Sequence, residues 1–391
     1  MVTLNSAENV LKTVYLDVLS NQLNTGVNPF YAQIKQSSDD VFGKEVRMLA
    51  PYGVNGGISA GTEDGDLPRP NGNKYAQFTA TLKNLYGQIE ITDKAIRASE
   101  SSSGAFVNLL NAEMEGLLTA SKLNLGRMLF GNGSGKIAVT TSVVSDLDHI
   151  KLKNKAELRY FTVGQVIDCF KSATTYFTGA RIQYIDYEGG YLYLDKNVTI
   201  ANECDIYIQD SKDKEITGLG AIFDTAKPIY GLNRTQNTWL NPTAAALPAE
   251  ANDITDAEIQ KAVDVMEERC GSSPDMILCS AGVRRNYQQY QLSFKRNTDV
   301  MELAGGYKAI SYNGIPIVYD RFCPSGTMYL LNSKDFVLSQ LCDWRWLETE
   351  NGKILRQSTG KAAYTATLVK YAELICRKPG GQSVITGIKD V

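Results

Sequence analysis

One long amphipathic segment constrains the fold of this chain more than any other part of its sequence. Its stripe residues recur at steps of three and four, which places them on one face of an α-helix. These residues are Phe106, Leu110, Met114, Leu117, Leu118, Ser121, Leu125 and Met128. Ser102 or Ser103 can cap the helix, and Gly131 suits the left-handed position after it. We therefore predict a helix over residues 104–130, about 40 Å long at 1.5 Å per residue.

An unusually long stretch without regular structure precedes the helix. Residues 46–48 and 78–91 alternate in the manner of β-strands, the second run with a bulge near Lys83. Between them lie Gly53, Gly56, Gly57, Gly61, Gly65, Pro68, Pro70 and Gly72. Such loops are uncommon in compact domains and are usually functional or disordered. Because a two-stranded arm is marginally stable alone, we expect residues 51–73 to rest on a neighbouring subunit, with an ordinary surface loop as the alternative.

Composition places the chain among soluble globular proteins. Its 391 residues, 43% hydrophobic and 21% charged, suffice for two or three domains with real cores. No apolar run is long enough to span a bilayer. Residues 1–23 lack the uninterrupted apolar core of a signal peptide and instead predict an amphipathic helix that carries Val10 and Val14. The seven cysteines form no CxxC pair, which argues against a disulfide framework or a zinc site.

The middle of the chain, residues 136–208, is rich in short strands separated by turn signals such as Glu188-Gly189-Gly190. Short strands at this spacing predict a small barrel or sandwich. Tyr184, Tyr187, Tyr191 and Tyr193 could form a base-stacking surface. Because no basic residues surround them, we interpret these tyrosines as β core.

The remaining residues predict a second α+β unit. Asp253 or Thr255 caps a helix that ends at Gly271, and a strand over residues 274–280 and a helix over 281–291 follow. Strands are expected at 315–319 and 328–331, and a mobile stretch around Gly305 and Gly306. Trp344 and Trp346 are two residues apart, so a strand places them on one face, where packing is the expected role.

Catalytic chemistry finds little support in the sequence. His149 is the only histidine, and no nucleophile motif lies near it, which disfavours Ser-His-Asp or Cys-His schemes. The run from Gly131 to Lys136 is not a phosphate-binding loop, because Phe130 and Ile137 stand where the motif needs Gly and Ser or Thr. We expect no catalytic, cofactor-binding or metal-binding residues, and hence no enzyme.

The order of these segments resembles a known family. The segments are, in order, ITDKAIRAS followed by FVNLLNAEMEGLLTASKLNLGRMLFGNGSG, then EITGLGAIFD, ITDAEIQKAVDVMEE, PDMILCSAGVRRNYQQY, SYNGIPIVYDRFCPSGTMYLL and LVKYAELICRKPGGQSVITGI. In this order they resemble the Hong Kong 97-like major capsid proteins of tailed phages. The resemblance implies an α+β fold with an N-terminal arm (1–40), an E-loop (41–88) and a peripheral domain with a spine helix (89–135, 209–225 and 345–391). It also implies an axial domain (226–344), and residues 136–208 would form an inserted small β domain.

The resemblance implies a function as well. Such a protein self-assembles as pentamers and hexamers into an icosahedral head for double-stranded DNA, in the host bacterial cytoplasm, and ends in the virion capsid. Scaffolding, portal and decoration proteins are implied partners, with no membrane and no cofactor. The net charge of −3 suits a container wall that holds DNA non-specifically better than a DNA sequence reader. Lys74 or Lys83 could offer a cross-linking amine, but residues 357–370 contain no Asn, so cross-linking is not expected.

Inter-subunit contacts are expected in the arm, the E-loop and the axial loops. The residues expected to make them are Val10, Val14, Tyr52, Asp64, Arg69, Lys74, Tyr75, Arg296, Asp299 and Glu302. Since the arm begins within a few residues of Met1, we expect a separate scaffolding protein or none. Two alternatives remain: an encapsulin-like shell that stores protein cargo, and, more distantly, a soluble α+β enzyme.

Overall fold

The computed structural model describes residues 28–94, 103–248, 253–294, 300–302, 308–348 and 354–390. In this part of the chain, strands and helices combine in an α+β fold with four β-sheets. The predicted fold class is therefore confirmed. The predictions for Val10, Val14, Ser102, Arg296, Asp299, Gly305 and Gly306 lie outside the described residues.

A hairpin and the long helix dominate the first third of the chain. The elements are α1 (Pro29–Gln33), β1 (Lys35–Ser37), β2 (Val41–Phe42), β3 (Glu45–Gly53), β4 (Lys74–Thr81), β5 (Lys83–Thr92) and α2 (Ser103–Phe130). Strands β2, β3 and β4 form a three-stranded sheet. The prediction of one bulged strand over residues 78–91 is wrong, because β4 and β5 belong to different sheets. The chain changes sheet at Leu82, whose N–H donates to the carbonyl of Lys44 at 2.9 Å.

The long helix α2 agrees with its prediction to within one residue. Where its side chains are described, the predicted stripe is buried at Met114, Leu118, Leu125 and Met128. The prediction of a left-handed Gly131 is wrong. The Gly131 N–H donates to the carbonyl of Met128 and closes a short final turn, so the first left-handed glycine after the helix is Gly133, with φ +80°.

Residues 136–208 form a closed β-barrel with a core of its own. Its strands are β6 (Lys136–Val139), β7 (Val144–Lys151), β8 (Val166–Lys171), β9 (Thr174–Asp186), β10 (Tyr191–Ile200) and β11 (Asp205–Ile208). They run in the order β6-β11-β8-β9-β10-β7. A bridge between Thr140 and Leu152 joins the last strand to the first. The bridge brings the ends of the two outer strands together, and the expected small β domain is confirmed as part of the fold.

The rest of the chain builds a seven-stranded sheet and, together with β1 and β5, a five-stranded sheet that we call the peripheral sheet. Its elements are α3 (Leu219–Ile222), β12 (Thr243–Ala246), α4 (Asp256–Cys270), β13 (Met276–Cys279), α5 (Ala281–Phe294), β14 (Val300–Glu302), β15 (Lys308–Tyr312), β16 (Ile315–Tyr319), β17 (Met328–Leu331), β18 (Phe336–Trp346), β19 (Arg356–Gln357), β20 (Ala363–Cys376) and β21 (Ser383–Thr386). Short 3₁₀ turns occupy Lys155–Tyr160, Thr238–Leu240, Ser333–Asp335 and Pro379–Gly381.

Helix α4 shows why its sequence signals were reliable. The Thr255 side chain accepts from the N–H of Glu258, and Gly271 adopts the left-handed conformation at φ 56°. Both termini are therefore satisfied locally, and the buried stripe of α4 contacts the seven-stranded sheet. The predicted strands 315–319 and 328–331 are confirmed as β16 and β17.

Strand β20 forms the middle of the peripheral sheet. It pairs with β18 on one side and, through ten residue pairs, with β5 on the other. Trp344 and Trp346 on β18 are both buried, so the predicted packing role is confirmed. One hydrophobic core continues from the β3–β4 hairpin through α2 to this sheet.

Candidate assembly surfaces

The connection between β3 and β4 is the most exposed segment that the structure describes. Apart from Gly57, every residue from 54 to 73 is exposed. Val54, Ile58 and Leu67 expose 88%, 85% and 91% of their surface. Burying one such side chain is worth about 1.5–3 kcal/mol. The loop forgoes this stabilisation in the single subunit, and a covering partner would supply it.

The base of this loop, in contrast, is fixed to its own subunit. The Asn55 N–H donates to the side-chain oxygen of Asn73 at 2.8 Å. The Tyr52 ring stacks on Trp239 with centroids 5.2 Å apart, and Phe78 stacks on the same indole at 6.1 Å. The hairpin therefore has an anchored base and an outer part that touches little of its own chain.

The predicted contact residues of the hairpin fall into two groups. Tyr52, Lys74 and Tyr75 lie at the base, where Lys74 pairs with Gly53 and Tyr75 with Pro51 across the two strands. Tyr75 is 57% exposed and Lys74 is also exposed. Asp64 and Arg69 lie in the outer part and are exposed. Their roles as inter-subunit contacts stay predictions.

Of the contact residues predicted in the axial loops, only Glu302 lies among the described residues. Glu302 is the last residue of β14, which pairs with β15. The structure therefore places it at the end of the seven-stranded sheet, since β14 is the terminal strand. Its contact role likewise stays a prediction.

Sequence reasoning missed Trp239, although it organises the hairpin base. Trp239 lies in a short 3₁₀ turn far along the chain from Tyr52, and it contacts Pro379–Gly381 through the close approach of its carbonyl to Gly380. A lone tryptophan in an irregular segment carries no periodicity, so nothing in the sequence links it to the hairpin.

The interpretation of the barrel tyrosines as core is wrong. Tyr184 and Tyr187 are 60% and 61% exposed. The barrel core is aliphatic instead, because Ile185, Leu192 and Leu194 alternate inward and turn the neighbouring tyrosines outward. His149 lies among these rings, 5.2 Å from the Tyr193 centroid. Its Nδ1 is 2.9 Å from an Asp148 carboxylate oxygen.

Buried ionisable groups serve the scaffold. Arg127 of α2 pairs with Glu215, and both are buried. The fully buried Lys370 donates to Gln340 and Asp343, each at 2.6 Å, and burial lowers the pKa of its ammonium. Burial also raises the pKa of Asp320 and of Glu373 to about 7. Arg127, Lys370 and Glu373 thereby join different elements. The Asp320 carboxylate instead accepts from the N–H of Phe322, two residues further along the chain.

A cleft runs along α2 between β5 and residues 160–165 of the barrel. It encloses about 390 Å³, and its lining mixes apolar and polar side chains, among them Leu117, Leu123, Asn124, Arg127 and Val163. The cleft is open and has no convergent set of charged groups. Among the described residues, no group of three or more His, Cys, Asp or Glu side chains could hold a metal. No described helix is long and apolar enough to cross a membrane.

Comparisons with known proteins identify the fold. No family model matches the chain, and no curated relative does. Among solved structures, the chain is similar to one in the capsid asymmetric unit of cyanophage A-1(L), with 12% identity, coverage of 94% of this chain and 92% of that chain, and a TM-score of 0.57. A chain of the holo-SrpI encapsulin complex from Synechococcus elongatus is 11% identical, with coverage of 96% of this chain and 96% of that chain and a TM-score of 0.48. A capsid chain of Myoviridae phage XM1 is 9% identical, with coverage of 93% of this chain and 92% of that chain and a TM-score of 0.47. The expected Hong Kong 97-like fold is confirmed.

Proposed function

We propose that this chain is the major capsid protein of a tailed bacteriophage. It self-assembles as hexamers and pentamers into an icosahedral head around double-stranded DNA. The observation that carries the proposal is the exposed excursion of residues 54–73, which extends its apolar side chains from an anchored base. A fold shared with a cyanophage capsid chain supports the same conclusion.

The hairpin explains how copies would join. Its base is rigid because Tyr52 and Phe78 both stack on Trp239, whereas its outer part lacks a core of its own. Stable interfaces bury roughly 1,200–2,000 Å² in total. We assign Tyr52, Asp64, Arg69, Lys74 and Tyr75 to contacts with an adjacent subunit. The terminal arm, with Val10 and Val14, and the axial residues Arg296, Asp299 and Glu302 would add further contacts.

The proposed division of labour follows the domain boundaries predicted from sequence. Residues 89–135, 209–225 and 345–391 would form most of the peripheral tile, and residues 226–344 most of the axial part that gathers at the five-fold and six-fold positions. Two strands cross these boundaries, because β18 belongs to the peripheral sheet and β21 to the seven-stranded sheet. The parts of residues 1–40 and 41–88 that would reach neighbouring tiles are the arm before residue 28 and the outer part of the hairpin, because β1 pairs with β18 and β5 with β20 within one subunit. The inserted barrel, residues 136–208, has a hydrophobic core of its own.

The proposed partners follow from the same assignment. Copies of this chain are the principal partner. Scaffolding, portal and decoration proteins are further partners, and packaged DNA is contacted non-specifically. The net charge of −3 suits a wall along which DNA must move. Assembly would take place in the host cytoplasm, and the protein would end in the virion capsid without catalytic activity.

The test is assembly of the purified full-length chain, alone and with its scaffolding protein, followed by negative-stain microscopy. The decisive variant carries Val54→Ser, Ile58→Ser and Leu67→Ser. We expect the wild type to form closed shells and this variant to remain as small oligomers. A control variant with Ser59→Ala and Ala60→Ser changes exposed positions of the same loop without removing large apolar side chains, and it should assemble normally.

Two outcomes would count against the proposal. A wild-type chain that stays monomeric under every assembly condition would contradict self-assembly. Shells that contain protein cargo and exclude double-stranded DNA would favour the encapsulin-like alternative, which nuclease protection of packaged DNA distinguishes.

A further inference from the structure

The outer face of the barrel carries an ordered patch on three adjacent strands. Strand β10 lies between β9 and β7, and its pairing fixes two rows of outward side chains. We name this patch the outer grid; its rows are Tyr184–Tyr193–His149 and Asp186–Tyr191–Lys151. The opposite face of the same strands is buried at Ile150, Ile185 and Leu192. The fold of the barrel itself therefore holds the outer grid in place.

The rings of the outer grid touch each other; Tyr184 is exposed, whereas Tyr191, Tyr193 and His149 are half-buried. Tyr193 lies 5.7 Å from Tyr184 and 5.2 Å from His149 between ring centroids. The Lys151 ammonium lies 5.1 Å from the Tyr191 centroid. Exposed aromatic residues, tyrosine above all, are enriched in protein interfaces. The interplanar angles of 37° and 50° give an uneven surface, which suits interdigitation with a similarly uneven partner.

The charges of the outer grid make it complementary to itself. Asp186 and Lys151 stand at opposite ends of one row, on either side of Tyr191. Two copies related by a two-fold axis that runs along β10 would exchange the two ends. Asp186 of each copy would then face Lys151 of the other, and Tyr184 would face His149. Such reciprocal pairing defines an isologous interface.

We infer that the outer grid is a contact between the barrels of two copies of this chain, related by a two-fold axis along β10. Tyr193 and Tyr191 lie on this axis and meet their own counterparts. The inference deepens the proposed function and rests on it, because a shell brings neighbouring copies together at two-fold positions.

The size of the outer grid explains why the shell is needed. With strands about 4.8 Å apart and rows about 6.8 Å apart, the grid covers roughly 200 Å² per copy. A stable pair needs about 800 Å² per partner. The contact is therefore too small to hold a dimer in dilute solution. It gains strength when other interfaces have already raised the effective concentration of one barrel near another.

Site-specific cross-linking in assembled particles tests the geometry. The background carries Cys270→Ser and Cys342→Ser, because the other five native cysteines are buried. Facing sheets lie about 10 Å apart, which is too far for a disulfide, so a short bis-maleimide is the probe. After treatment with the probe, the Tyr193→Cys protein should migrate as a cross-linked dimer on a denaturing gel. Val163→Cys, 63% exposed on another part of the barrel region, is the matched control and should stay monomeric.

A mixed experiment determines the axis. Tyr184→Cys alone and His149→Cys alone should not cross-link, because like positions would be about 14 Å apart across two facing sheets. Particles assembled from a mixture of the two variants should cross-link. Lys151→Glu in the Tyr193→Cys protein should reduce the dimer, whereas Lys171→Glu, on β8, should leave it unchanged.

The results separate the two proposals. Closed shells in which Tyr193→Cys links no better than Val163→Cys would overturn the barrel contact and leave the capsid function standing. A mixture of Tyr184→Cys and His149→Cys that fails to link would overturn the axis along β10. Cross-linked dimers from concentrated protein that never forms shells would support the barrel contact and contradict the capsid function.

Discussion

The ring of Tyr52 stacks on Trp239 with centroids 5.2 Å apart and planes inclined by only 9°. This contact lies at the border between the fixed and the exposed parts of the hairpin. Phe78 occupies a parallel position on the same indole at 6.1 Å. The stack therefore sets the direction in which residues 54–73 leave the body of the subunit.

Removing the indole should cost more than removing the phenol. Trp239→Ala should lower the free energy of unfolding by about 3 kcal/mol, since it empties a site between two rings. Tyr52→Ala should cost about 1 kcal/mol, because Tyr52 is 44% exposed and loses mainly one aromatic contact. Urea unfolding checks both values. Equal costs for the two variants would show that the stack does not anchor the hairpin.

Two glycines of the long helix should respond to alanine in opposite directions. A methyl group at Gly126 would lie 2.6 Å from Phe322 Cε2 and closer still to the Asn28 side chain, whereas at Gly116 it would meet nothing within 4 Å. Gly126→Ala should therefore destabilise by about 1–3 kcal/mol through overpacking. Gly116→Ala should stabilise by about 1 kcal/mol through helix propensity. Thermal unfolding of both variants is the measurement, and a neutral Gly126→Ala would contradict the close approach.

The pair between Asp343 and Lys370 should be asymmetric. Lys370 is fully buried, whereas the Asp343 side chain is 33% exposed. Asp343→Asn leaves a buried ammonium without its counter-charge and should cost about 3 kcal/mol. Lys370→Met leaves a carboxylate that water can reach and should cost about 1 kcal/mol or less. A double-mutant cycle in urea measures the coupling, and a larger loss for Lys370→Met would refute the assignment.

Glu373 should make the protein less stable as pH rises. Burial raises the pKa of its carboxyl from 4.5 to about 7, so the folded state binds this proton more tightly than the unfolded state. The contribution of Glu373 to the free energy of unfolding is fully present below about pH 4.5, falls as pH rises toward 7, and stays lower above pH 7. The loss amounts to roughly 3 kcal/mol at 1.36 kcal/mol per unit.

The variant Glu373→Gln isolates this contribution. Its amide oxygen can still accept from the N–H groups of Thr217 and Leu374, as the carboxylate does. We expect variant and wild type to respond differently between about pH 5 and pH 8, with the variant gaining relative stability at the higher pH. Asp320, whose pKa is also raised to about 7, makes the same contribution to the pH dependence of stability in both proteins. Parallel pH profiles would rule out the role of Glu373.

Local signals were sufficient for several elements. The stripe from Met114 to Met128 and the end of α4 at Gly271 follow from side-chain spacing and from capping within one helix. Strands β16 and β17 follow from short apolar runs that are buried in the sheet. The order of such segments along the chain was enough to indicate the fold.

Other features depended on partners distant in sequence. The break at Leu82 was misinterpreted as a bulge, because a bulged strand and a chain that leaves the hairpin for the strand beside β20 both shift the alternation by one residue. The exposure of Tyr184 was misjudged for a related reason. β-propensity favours tyrosine on either face of a sheet, and only the register with Ile185 turned inward decides which face meets water.

The sequence by itself determined the long helices α2, α4 and α5, several strands and the Gly- and Pro-rich excursion, because capping, periodicity and turn residues act over a few neighbouring positions. Tertiary structure alone decided that Trp239 supports the base of that excursion and that six strands close through Thr140 and Leu152. It also decided that Tyr193 stands between Tyr184 and His149. Such arrangements arise from long-range packing, whose free energy depends on which distant surfaces meet.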